Sequence, residues 1–110
     1  MKIIKNNNKV IADNVKMADT FLKRLKGLMF QKDLKSGEGI LIKPCNSIHT
    51  FFMYIPIHVI FLDENNKVVK IFRNYKKNKI ITKIKNAKMV LELSTKTKLD
   101  LSVGDKLHIK

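Results

Sequence analysis

Four side chains capable of soft or nucleophilic chemistry fall close together in this chain: Cys45, His49, Met53 and His58. They lie in one run, GILIKPCNSIHTFFMYIPIHVIFLD from Gly39 to Asp63, which also holds both prolines. Thiolate, thioether and imidazole together suit Cu(I), or zinc without the methionine. The spacing opposes that chemistry. In an extended strand Cys45 and His49 stand roughly 13 Å apart, at about 3.3 Å per residue, too far to share an ion. The expectation is therefore no metal and no cofactor.

Cys45 activated by His49 would be a thiol nucleophile. A turn at Pro44–Ser47 could bring the two together, but no acid is placed in the sequence to orient the imidazole. A small cysteine beside a proline reads first as a packing residue. Arg24 is a further candidate. Only Arg24 and Arg73 are arginine in a chain that otherwise writes lysine at its basic positions. An arginine there suggests a need for a planar, bidentate donor, for a ligand, for Glu38 or Asp63, or for stacking on Phe51 or Phe52. The binding candidates are thus Arg24, His49, Phe51, Phe52, Met53 and His58, with Cys45 as the thiol candidate.

The elements that must position these residues are mostly short strands. Lys2–Lys5 and Lys9–Ile11 flank Asn6-Asn7-Asn8 and read as a first hairpin. Asp19 or Thr20 caps a short helix, FLKRLKG, with Phe21, Leu22 and Leu25 on one face and Gly27 as its stop. Gly39–Lys43 reads as a strand ended by Pro44, and Ser47–Met53 as a second extended run. Ile57–Leu62 and Lys67–Phe72 form a hairpin through Asp63-Glu64-Asn65-Asn66. If Ser47–Met53 also pairs with Ile57–Asp63 through Tyr54-Ile55-Pro56, Phe52 faces His58 and His49 points the other way. Lys79–Lys85 and Ala87–Leu93 are further strands, although propensity alone would allow helix in the second. Thr95–Leu99 reads as one helical turn, and Val103-Gly104-Asp105 leads into a closing strand, Lys106–Ile109. The expected fold is mainly β (α+β): a small closed or half-closed β-barrel-like sheet of about seven or eight strands, with one covering helix near residues 19–27.

Composition bounds the function. At 110 residues and 45% hydrophobic, the chain is read as one domain, 1–110, able to bury its own core. The net charge of +14, from 23 basic and 9 acidic residues, suggests an anionic partner. Against this, the charge is nearly all lysine, a hydrated point charge poorly suited to reading bases. Lys67–Lys98 is the most basic stretch, with Glu92 its one acid, and supplies only Tyr75 and Phe72 for stacking. One cysteine excludes an internal disulfide. MKIIKNNNK lacks the apolar core of a signal peptide. The apolar run Ile48–Leu62 is shorter than the roughly 20 residues of a membrane span. A cytoplasmic location and no membrane span are expected.

Several segments in order carry a resemblance: RLKGLMF (Arg24–Phe30), EGILI (Glu38–Ile42), SIHTFFM-x-x-P-I-x-V-I-F-L-D (Ser47–Asp63), A-K-M-V-L-E-L (Ala87–Leu93) and V-G-D-K-L (Val103–Leu107). With these the chain resembles the domain of unknown function 192 family, also called uncharacterised protein family 0127. The resemblance implies a small, mostly-β prokaryotic domain and carries no established activity. One departure is His58, where the family pattern has an aspartate after proline and an apolar residue. The functional expectation is a non-enzymatic binding or accessory domain with an aromatic, methionine-rich pocket, serving a small molecule or a protein partner. The alternatives are weak binding of nucleic acid or an anionic surface through residues 67–98, and a thiol or soft-metal site at Cys45 and His49.

Overall fold

Apolar runs of the sequence become ten short strands and one helix among the described residues, which are 1–6 and 8–110 of this computed structural model. The strands are β1 (Ile3–Lys5), β2 (Lys9–Ala12), β3 (Asn14–Ala18), β4 (Glu38–Ile42), β5 (Ile48–His49), β6 (Ile57–Leu62), β7 (Val68–Tyr75), β8 (Ile80–Ile81), β9 (Met89–Ser94) and β10 (Leu107–Ile109), with the helix α1 (Phe21–Lys26) after β3. They form a five-stranded sheet β3-β4-β9-β6-β7, a three-stranded sheet β10-β1-β2 and a two-stranded ribbon β5-β8. Only β3 and β4 pair in parallel; the other ladders are antiparallel.

Strand alternation explains why the large sheet is buried on both faces. Leu91 and Leu93 of β9, with Ile60 and Leu62 of β6, point into a core shared with Ile3, Ile11 and Leu107 of the three-stranded sheet. Val90 of β9, with Ile57, Val59 and Phe61 of β6, points the opposite way, toward Leu28, Leu34, Ile48 and Ile81. Every residue of β6 and β9 is buried in consequence. The sheets do not close into a barrel, and a half-closed, mainly β architecture describes them.

The turn between β6 and β7 forms as the sequence suggests. The Asp63 carboxylate accepts the Asn65 and Lys67 N–H groups at 2.8 and 3.0 Å, and Asn66 takes φ +63°. The first hairpin pairs as expected, but its Asn6-Asn7-Asn8 turn includes Asn7, which lies outside the described residues. Thr20 is the N-cap of α1, its Oγ1 accepting the Lys23 N–H, and Gly27 is the C-cap.

Four expectations are corrected. The strands number ten among the described residues rather than seven or eight, and the strand with no expected counterpart is β3, Asn14–Ala18, which pairs in parallel with β4. Ser47–Met53 does not pair with β6, since β7 and β9 already occupy both edges of that strand. Only Ile48–His49 is extended, paired with β8, and the chain then turns at Phe51–Phe52. Buried Thr50 holds that turn: its Oγ1 bonds the Lys76 carbonyl and the Lys79 N–H, both at 2.8 Å. Thr95–Lys96 is a turn stopped by the Ser94 hydroxyl, which accepts the Lys96 N–H, rather than a helical turn. Finally, the apolar face of α1 is not packed: Phe21, Leu22 and Leu25 are 69%, 74% and 53% exposed. Leu28 and Leu34, from the segment after the helix, fill the core in its place.

Candidate functional site

Glu92 sits at the middle of β9, the central strand of the five-stranded sheet, opposite Ile40 of β4 and Val59 of β6. Alternation sends its side chain to the same face as Val90, beneath α1. The residue is only 3% exposed, and its Oε1 has no hydrogen-bond partner. Burial raises its pKa from 4.5 to about 7, opposed by the Leu28 backbone N–H. A carboxyl in an apolar sheet face needs room and a neighbour without bulk. Gly27 supplies both: it ends α1 at φ +49°, and a Cβ there would lie 3.1 Å from Glu92 Oε1.

Glu92 and Gly27 line a partly open cavity of about 200 Å³ whose other polar members are Arg24, Lys26, Cys45, Ser47 and His49. Leu28, Ile42, Ile48 and Met53 give it an apolar wall. Arg24 reaches in from α1; one terminal nitrogen donates to the Pro44 carbonyl at 3.3 Å, while its buried Nε has no partner. No ion pair joins Arg24 to Glu92 among the described residues. His49, on β5, stacks on Phe51 at 5.6 Å between ring centroids, and its buried Nδ1 is also without a partner. Among the described residues, Arg24, His49 and Glu92 hold all the buried side-chain nitrogen and oxygen atoms that lack a hydrogen bond. All three line this one cavity.

The Cys45 thiol donates to the Ser47 carbonyl at 2.9 Å. Burial pushes its pKa up, with Glu92 adding to the rise and Arg24 opposing it. That environment keeps the thiol protonated, the reverse of an activated nucleophile. Cys45 and His49 nevertheless line one cavity, because the Pro44–Ser47 segment bends rather than continuing as a strand. Among the described residues no three His, Cys, Asp or Glu side chains cluster so as to hold a metal ion.

The structure therefore brings together Arg24, Cys45, His49 and Met53. Phe51 lies at the edge, exposed, along a shallow groove with Ile80 and Thr82. Phe52 is exposed at the turn, with φ +64°, and its ring meets Phe30 at 5.8 Å. His58 is remote. Alternation along β6 puts it on the opposite face of the sheet, where its Nδ1 accepts the Asn74 N–H at 3.1 Å and burial lowers its pKa. Sequence reasoning missed Glu92 and Gly27. The available signal was an acid flanked by leucines in an otherwise apolar strand, MVLELS.

A half-closed, mostly-β domain with a buried acid facing a short helix is the class that fold and cavity define. The chain belongs to the DUF192 family, described as "Uncharacterized ACR", whose pattern matches residues 2–109. That family is one of unknown function. Relatives include a UPF0127 protein of Thermococcus kodakarensis, 38% identical over 84% of this chain and 60% of its own length. Another UPF0127 protein, from Thermococcus gammatolerans, is 34% identical over 96% of this chain and 72% of its own length. The chain thus spans about three-fifths of the first relative. A solved structure from Sinorhizobium meliloti 1021, provisionally described as a transcription regulator, superposes with a TM-score of 0.81 at 23% identity, covering 97% of this chain and 89% of that one. A protein of unknown function from Novosphingobium aromaticivorans gives 0.80 at 22% identity, covering 98% and 82%. These likenesses concern the fold alone.

Proposed function

We propose that residues 1–110 form a single non-enzymatic binding domain that takes a small molecule into the cavity between α1, β5 and β9. One observation carries this reading: Arg24, His49 and Glu92, each with a buried polar atom that lacks a partner, all line that cavity. Leaving one such group unpaired costs about 1–3 kcal/mol, and more when it is charged. Three around one cavity suit a ligand that supplies the missing partners. Aliphatic side chains and Met53 form the adaptable part of the wall. A cytoplasmic setting belongs to this reading, supported by the free thiol of Cys45. Among the described residues no helix is long and apolar enough to cross a membrane.

The test is chemical-shift mapping of the labelled protein against a library of small organic fragments. Binding fragments should move the amides of Gly27, Leu28 and His49 together. Fragments that bind only elsewhere, or none that reach these amides, would contradict the reading.

A second reading rests on the lysines of the 67–98 stretch. Lys70, Lys76, Lys77, Lys79, Lys83, Lys85 and Lys88 are all exposed. Weak association with nucleic acid through them would be non-specific and would fall steeply as salt is added. Absence of retention on DNA or RNA at low ionic strength removes it.

A further inference from the structure

The polar atoms around the cavity have fixed and opposite hydrogen-bonding roles. Arg24 Nε can only donate, and an ionised Glu92 can only accept. Both lie on one cavity of about 200 Å³ without pairing to each other. A molecule that bridges them must present an acceptor to Arg24 and a donor to Glu92, on a body that matches the apolar wall of Leu28, Ile42 and Met53. A cation would meet Arg24 and Lys26, an anion would meet an ionised Glu92, and either would have to be desolvated, which favours a neutral ligand. The third partnerless atom, His49 Nδ1, can take either role.

From this geometry we infer that the cavity binds a small, neutral, mostly apolar molecule carrying an amide-type pair, its N–H on Glu92 and its C=O on Arg24. Primary carboxamides, lactams and cyclic ureas share this chemistry. The inference rests on the binding-domain reading above and adds the ligand class. The ionised carboxylate accepts more strongly than the protonated acid, so binding is coupled to the titration of Glu92 near pH 7. The charged and titratable groups facing it are Arg24 and Lys26 from α1, Cys45 from the segment after β4 and His49 from β5.

The test compares four probes with the same phenyl body: benzamide, benzoate, benzylamine and toluene, followed through the Gly27 and Leu28 amides. Benzamide should bind best, with benzoate and benzylamine about tenfold weaker or worse, since each leaves one buried group unpaired. Benzamide affinity should rise by up to about tenfold between about pH 6 and about pH 8, following the ionised fraction of a group titrating near 7. Glu92→Gln should flatten that rise. Equal binding of all four probes, a charged probe binding best, or a rise that survives Glu92→Gln would each overturn the ligand class while leaving the cavity as the binding site. Failure of all four probes, with other fragments still moving Gly27, Leu28 and His49, would also overturn it. Failure of every fragment there would overturn the underlying reading instead.

Discussion

Glu92 decides how the site behaves. Its carboxyl titrates near 7 in the fold against 4.5 as its ordinary value, so the folded chain holds this proton more tightly than the unfolded chain. Stability from the group is full below about pH 4.5 and is lost as pH rises through 7, a loss on the order of 3 kcal/mol. His58 acts with the opposite sign. Its lowered pKa gives stability that is present above 6.5 and lost as pH falls. The difference between Glu92→Gln and the parent isolates the acid: the two should be similar in urea unfolding at about pH 4, and the variant more stable by on the order of 3 kcal/mol at about pH 8. A constant difference across that range would contradict the assignment. Cys45 should react slowly with a disulfide reagent at neutral pH, and its rate should climb only in alkaline solution, because burial holds the thiol protonated. A fast reaction at neutral pH would reopen the thiol mechanism.

At the scale of elements, what could be read from the sequence depended on whether the signal was local. The β6–β7 turn, the Thr20 cap and the Gly27 stop were legible because each is fixed by a few adjacent residues. The partner of Ser47–Met53 was not, since pairing depends on which strand edges remain free, and β6 has none. The same holds for Glu92. Its strand was legible as apolar, but a strand buried on both faces gives no alternation to show where an acid points. Gly39 marks how tightly β4 and β9 meet, since a Cβ there would fall 2.1 Å from the Glu92 carbonyl oxygen. Gly39→Ala should therefore cost about 3 kcal/mol or more, or prevent folding, measured by thermal unfolding. By contrast Phe21→Ser and Leu22→Ser on the exposed face of α1 should each stay within about 0.5 kcal/mol. Leu91→Ala in the core should cost about 2–5 kcal/mol. A large loss from either helix substitution would show that α1 is packed in solution.

For the whole molecule, the two cores divide the labour. One joins the three-stranded sheet to the inner face of the five-stranded sheet, where buried His58 lies beside Ile60 and Leu62. The other, bounded by a loop, a two-stranded ribbon and an unburied helix, leaves room for a cavity and admits the acid. The strong positive charge lies outside this arrangement. The ion pairs found among the described residues, Lys5–Asp105, Lys9–Asp100 and Lys96–Asp33, tie surface segments together rather than line the cavity. Solvent screens these surface pairs, so they add little to stability. The central claim is that Glu92 is a buried carboxyl whose Oε1 lacks a partner, at the floor of a ligand cavity. A carbon-detected NMR titration of its side-chain carboxyl tests this most directly. The account expects a midpoint near 7 that moves down when benzamide binds; a midpoint near 4.5, unchanged by any fragment, would contradict it.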